Sequence, residues 1–254
     1  MDFDFQHHIM HHMQDSLEWT PPLPFVHPIP LPPFLSLHAL MIIFGFLFVV
    51  ILFCVLYKKK ERVPTGISNF LEVFVVFIRD EIAIPSLGQN DGIRLTPLLC
   101  TFFFFILTLN LMGLIPIFAT PTANINVTGA LALITFCFMV FGAIYKNGLK
   151  GFFKSLIPSG IPVPVLFLLV PIEFLGLFIK TFALTVRLFA NMLAGHVTIA
   201  ALLGLIILLG YIALPIIFLA LFIYLLEVLV VFIQAYIFTL LSAMFIGQTY
   251  HPEH

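Results

Sequence analysis

The sequence predicts an all-α integral membrane protein with about five membrane crossings, the last two forming a long, strongly tilted helical hairpin, plus one interfacial amphipathic helix. Three observations carry this reading. Of the 254 residues, 61% are hydrophobic and only 9% are charged, against roughly 45–50% apolar and about 25% charged in soluble domains. The apolar residues gather into runs as long as the roughly 20 residues that a helix needs to cross a bilayer. All eleven Lys and Arg lie at or after Lys58, and most fall between those runs. A net charge of -1 gives no footing for a nucleic-acid partner.

Residues 1–34 form an outer-side N-terminal segment, polar and then proline-rich. Pro21, Pro22, Pro24, Pro28, Pro30, Pro32 and Pro33 exclude a regular helix there. The segment has no Lys or Arg and so lacks the basic start of a signal peptide. Residues 35–62 hold the first transmembrane helix and its basic stop. Leu35 to Tyr57 is 23 residues, which at about 1.5 Å each covers a hydrocarbon core of about 30 Å. Lys58-Lys59-Lys60-Glu61-Arg62 then marks the cytoplasmic side and puts the N-terminus on the other.

Residues 63–93 differ in kind. Ile67, Phe70, Leu71, Phe74, Phe77 and Ile78 recur at helical spacing, interrupted by Glu72, Arg79, Asp80 and Glu81. That pattern predicts an amphipathic helix at the cytoplasmic interface. Residues 94–145 form a transmembrane hairpin, Arg94 to Phe118 and Ile125 to Tyr145, joined by an uncharged loop around Pro121. Residues 146–161 form a loop made basic by Lys146, Lys150 and Lys154, again on the cytoplasmic side. Residues 162–254 hold the long hairpin, an apolar run of about 48 residues from Pro162 to Leu209 and one of about 36 from Tyr211 to Ile246. Runs so far beyond a vertical span predict strong tilt, with the C-terminus cytoplasmic.

The two long helices carry Glu173, Lys180, Arg187, His196 and Glu227, with Asn191 and Gln234 as polar companions. A charge inside hydrocarbon costs from about 2.5–3.5 kcal/mol on insertion scales to about 10–17 in simulations, so such residues are functional by default. The bland alternative is a set of internal ion pairs that fix helix packing. Glu173, Lys180 and Arg187 are seven apart and Asn191 follows four later, which keeps them on one helical face. His196 is turned to the opposite side. Glu227 and Gln234 repeat the sevenfold spacing on the second helix. His and Glu, with ordinary pKa values near 6.5 and 4.3, form a pair able to relay protons near neutrality. Arginine keeps its proton and acts as a fixed electrostatic barrier.

Arg187-Leu-Phe-Ala-Asn191-Met-Leu-Ala-Gly195-His196 closely resembles the signature of subunit a of F-type ATP synthases. The resemblance extends to Glu227, to Gln234-Ala-Tyr-Ile-Phe, to Pro171-Ile-Glu173 and Lys180, and to Asn110-Leu-Met-Gly-Leu-Ile-Pro116. His12-Met-Gln-Asp15-Ser-Leu-Glu18-Trp19 is similar to bacterial members. The resemblance implies a stator subunit of the Fo sector, working against a ring of c subunits beside a b-subunit peripheral stalk. It implies that Arg187 faces the ring carboxylate, with Asn191 and Gln234 lining the same interface. His196 and Glu227 would sit in the half-channel open to the outer side and Glu173 at the mouth of the cytoplasmic one. Asn110 would help line the outer half-channel, although Gly113 stands where some members carry an acid. The implied location is the cell inner membrane, with an organellar inner membrane as the alternative.

No cofactor or metal is expected. Cys54, Cys100 and Cys137 sit in apolar runs without CxxC spacing. His7, His8, His11 and His12 have the spacing of zinc ligands but no carboxylate or Cys partner, and are read as a solvated segment. No phosphate-loop motif occurs, so nucleotide chemistry belongs to another subunit. The competing readings are a self-contained ion-coupled secondary transporter, which calls for repeated halves that the chain lacks, and a haem or quinone subunit. The latter needs paired histidines within spans, whereas only His196 lies deep in a long one. Lys180 either joins the proton path or extends its ammonium to the cytoplasmic headgroups.

Overall fold

The computed structural model describes residues 16, 18–19, 29–32, 35–56, 66–115, 117–155, 163–210 and 214–251. The basic stop at 58–62 and the histidines at 7–12 lie outside the described residues. A minimal antiparallel ribbon, β1 (Glu18–Trp19) and β2 (Ile29–Pro30), precedes the helices. These are α1 (Leu37–Ile51), α2 (Ile67–Phe77), α3 (Ile84–Leu87), α4 (Gln89–Leu114), α5 (Ile125–Cys137), α6 (Ala143–Ser155), α7 (Val163–Leu209) and α8 (Leu214–Tyr250). π-helical turns extend α1 over Leu52–Leu56, join α2 to α3 over Ile78–Ala83, and join α5 to α6 over Phe138–Gly142.

Five helical stretches are long and apolar enough to cross a membrane: Leu37–Cys54, Gln89–Leu114, Ile125–Phe153, Phe167–Leu209 and Leu214–Tyr250. Their outer surfaces suit lipid and not water, as Phe167 at 90% and Leu208 at 81% exposure illustrate. Helical backbone satisfies its own polar groups, which hydrocarbon demands. Hydroxyls do likewise: Thr181, Thr185 and Thr198 donate to carbonyls four residues back.

Helix ends follow local chemistry. Ser36 caps α1, its hydroxyl accepting from the Ala39 amide at 3.4 Å. α4 begins before the expected Arg94 and stops short of the expected Phe118. It ends two residues before Pro116, whose ring disfavours helical backbone just ahead of it. The third crossing runs past the expected Tyr145 as far as Ser155, with a non-helical break at Gly148, φ 72°. Contacts of Lys146 and Asn147 hold that extension in place.

The chain divides into two compact units. The first comprises Met1–Leu52, Phe104–Thr128 and Arg187–Ala235. One of its apolar clusters joins Leu114, Ala123, Met192 and Val231. Another joins Leu37, Met41 and Ala119, with Trp19 and Phe118 against them. The Trp19 indole N–H donates to the Ile117 carbonyl at 3.1 Å, and the Tyr224 hydroxyl donates to the Leu114 carbonyl at 3.2 Å, satisfying an end of α4.

The second unit comprises Phe53–Phe103, Gly129–Val186 and Tyr236–His254. Its packing includes aromatic pairs, among them Phe102–Phe238 at 5.5 Å and Phe136–Phe178 at 4.9 Å between centroids. Thr135 and Ser242 share a buried hydrogen bond of 3.0 Å. At one end Asp91 pairs with Lys146 and lies 3.1 Å from His251, while Asn147 donates to the Tyr250 carbonyl at 3.2 Å. On the amphipathic segment Arg79 and Asp80 pair at 2.7 Å, which holds the exposed Asp80 carboxyl below its ordinary range.

Close backbone approach makes one glycine critical. A Cβ on Gly247 of α8 would collide with the backbone carbonyl of Ser86, which has no freedom to rotate away. A Cβ on Gly142 would instead meet the phenol end of Tyr250, a side chain that can swing aside. Gly247→Ala is therefore expected to destabilise by about 1–3 kcal/mol, and Gly142→Ala by less. Unfolding of the purified variants in denaturing detergent orders the two; equal stability would contradict the packing account.

Candidate functional site

The first unit holds both His196 and Glu227 and brings Glu227 against the residue that precedes His196. Glu227, on α8, is 6% exposed, and neither of its carboxyl oxygens has a hydrogen-bond partner among the described residues. The carboxyl lies against Gly195 of α7, so closely that any side chain at Gly195 would strike Oε1. Glycine thus lets α7 and the acid approach, and the residue after it is His196. The Nε2 atom of His196 is 2.8 Å from the Thr120 hydroxyl, which also donates weakly to the Gly113 carbonyl at 3.4 Å. A Cβ on Gly113 would come within 2.7 Å of the Thr120 side chain. The absence of an acid at Gly113 therefore makes room for Thr120.

Asn110, three residues earlier on α4, is fully buried, and neither of its amide atoms has a partner among the described residues. Thr122 repeats this state: buried, with an unpartnered hydroxyl. Buried polar groups are nearly always satisfied, and exceptions call for water or function. Sequence reasoning misses Thr120 and Thr122, because a loop hydroxyl has no periodicity to betray it. His38 of α1 is likewise buried, its Nδ1 3.2 Å from the Asn124 amide nitrogen. His38 stands at the start of its span, so His196 remains the histidine deep within a long one among the described residues.

Two further expected residues are joined. The Asn191 amide donates to the Gln234 carbonyl oxygen at 2.6 Å. Arg187 is exposed, and so are Ala190, Asn191, Ala194 and Thr198 along the same face of α7. A cation thus stands on a strip of small residues, the surface that lets another helix come close.

Glu173 lies in the second unit, half-exposed, with exposed Ile172, Phe174 and Leu175 around it in sequence. Lys180 donates to the Gln248 side chain at 2.9 Å and lies over the Phe245 ring at 5.8 Å. Among the described residues no ion pair joins Glu173, Lys180, Arg187 and Glu227, so the packing-pair alternative gains no support. No cluster of three metal-ligating side chains occurs among the described residues.

A family model described as ATP synthase A chain matches residues 38–247. The chain belongs to this family. "ATP synthase subunit a" of Anaeromyxobacter dehalogenans (strain 2CP-C) is 53% identical over 195 residues, covering 75% of this chain and 51% of that protein. The protein of that name from Chloroherpeton thalassium is 51% identical over 203 residues, covering 78% of this chain and 60% of its own. "ATP synthase subunit a 2" of Chlorobium luteolum is 41% identical over 255 residues, with 94% of this chain and 74% of the relative covered. The chain spans about half the length of the Anaeromyxobacter relative. Family membership and the five apolar helices together establish an all-α multi-pass membrane protein.

Proposed function

We propose that this chain is the proton-translocating stator subunit a of the Fo sector of an F-type ATP synthase. It forms two offset half-channels against a ring of c subunits and converts proton flow into ring rotation. The observation that carries this reading is Glu227, a buried carboxyl with unpartnered oxygens in an apolar helix, set against Gly195 and next to His196. Such a group has no packing role to justify its burial cost. It suits a site that takes up and releases a proton from water entering between helices.

Each residue then has a task. His196 and Glu227 carry protons in the outer half-channel, with Asn110 as polar lining. Glu173 stands at the mouth of the cytoplasmic half-channel. Arg187 and Asn191 meet the ring, and Gln234, itself buried, holds Asn191 from behind. An exposed cation on a membrane helix needs an anionic partner in place of lipid, and a ring carboxylate supplies it. Each proton crossing about 100 mV releases about 2.3 kcal/mol, available as rotation only while no proton leaks past Arg187. ATP chemistry takes place on other subunits, held to this one through a b-subunit stalk. The chain lies in the cell inner membrane with its N-terminus outside and C-terminus cytoplasmic, an orientation that impermeant thiol labelling of single-cysteine variants reads directly.

Purification of the tagged chain from membranes in mild detergent tests the assignment. It should bring down a ring of small hairpin subunits. A monodisperse chain that purifies alone and transports an ion in liposomes by itself would establish the self-contained transporter instead.

A further inference from the structure

We propose that His38, Asn124, Thr122 and Thr120 form the outer mouth of the proton path and deliver protons to His196. The proposal rests on the proton-channel reading above and adds a route into it from α1 and the loop between α4 and α5.

All four residues belong to the first unit. The loop makes a single 3₁₀ turn over Pro121–Ala123, which sets Thr120 at its start, Thr122 within it and Asn124 at its end. Each end holds a histidine from another helix. The Thr120 hydroxyl lies 2.8 Å from Nε2 of His196 on α7. The Asn124 amide nitrogen lies 3.2 Å from Nδ1 of His38 on α1. The amide oxygen of Asn124 accepts the Asn126 backbone N–H at 3.0 Å, which fixes which end of the amide faces the imidazole. An amide nitrogen only donates, so Nδ1 of His38 accepts and the neutral ring carries its hydrogen on Nε2.

His38 is 2% exposed and sits beside the apolar cluster of Leu37, Met41 and Ala119. On the same loop, two residues from both Thr120 and Asn124, Thr122 is fully buried with its hydroxyl unpartnered among the described residues. Asn110 and Glu227 share that condition. Buried polar atoms of this sort, gathered in one unit, are where internal water finds partners. The remaining titratable groups of the described part of this unit are Glu18, Arg187, His196, Tyr224 and Glu227. Among the described residues of this unit, His38 is therefore the one imidazole on the N-terminal side of the loop. A proton arriving with water binds Nδ1 as the Asn124 amide gives way, and the ring, now protonated on both nitrogens, releases one proton to a neighbouring water. Thr122, Thr120 and intervening water pass it to His196, and the imidazole of His38 returns to neutrality.

The test uses the assembled complex in membrane vesicles, with ATP synthesis driven by an imposed gradient and the pH of the outer-side compartment varied. His38→Gln keeps a polar side chain that does not titrate; Thr122→Val keeps shape and removes the hydroxyl. Both are expected to slow synthesis by about tenfold, less than the roughly 10²–10⁴-fold of a positioned acid–base group because water can stand in for either side chain at the entrance. The His38→Gln defect should deepen as outer pH rises and protons become scarce, and Thr122→Ser should recover wild-type rates. A merely structural role would lower complex yield without moving this pH dependence. His196→Ala is assayed in parallel. Wild-type rate and pH profile in His38→Gln and Thr122→Val, with synthesis blocked by His196→Ala, would refute this entrance and leave the channel reading intact. Normal synthesis in His196→Ala would overturn the channel reading and this proposal with it.

Discussion

His196→Ala and Glu227→Ala should each reduce ATP-driven proton pumping by about 10²-fold or more, the range lost with a positioned proton-transfer group. The exchange His196→Glu with Glu227→His should recover a part of it. The argument is geometric. Glu227 leans on Gly195, the residue before His196, so the carboxyl lies against the turn of α7 that carries the imidazole. A pair that shares protons through water needs one of each and tolerates either order, whereas a pair that serves packing does not. Gly195→Ala probes the same contact from the other side. The clashing atom is the end of a flexible side chain, so the fold survives while Glu227 is pushed aside, and pumping should fall with normal assembly. A double exchange no better than the worse single variant would show that the two groups do not act together.

The crossings were legible because an apolar run of span length suits hydrocarbon and little else, and Leu37–Cys54 and Leu214–Tyr250 fall where the hydropathy places them. The ends were less so. Gln89 to Ile93 is helical but polar, and nothing in polarity distinguishes a helix projecting beyond hydrocarbon from a loop. Lys146 to Lys154 likewise reads as a loop because its charges outweigh its periodicity; the helix carries on to Asn147, where Lys146 pairs with Asp91 and Asn147 binds the end of α8, breaks at Gly148, and resumes as far as Ser155. In the site, intramembrane charges stood out at once against an apolar background, since each carries a visible cost. Thr120, Thr122 and Asn124 did not, because hydroxyls and amides on a loop are cheap anywhere and gain meaning only from the histidines brought to them. His38 was hidden at the start of an apolar run. Gly195 and Gly113 became informative only once the atoms that occupy the space of their missing side chains were known.

Arg187 carries the central claim. A ring carboxylate must lose its proton to one half-channel and gain one from the other. A fixed cation within about 4–6 Å favours the ionised carboxylate and repels a proton crossing directly. Its exposed position among Ala190, Asn191 and Ala194 leaves room for a ring helix to approach. Lysine retains the formal charge but is compact, strongly hydrated and readily deprotonated on burial, so Arg187→Lys should also abolish coupled synthesis. Arg187→Lys and Arg187→Ala should both assemble, because no ion pair within the described residues depends on Arg187. The most direct measurement is ATP synthesis together with passive proton conductance in vesicles bearing Arg187→Ala. Lost synthesis with a raised proton leak is the predicted result; near-normal synthesis with no leak would contradict the account.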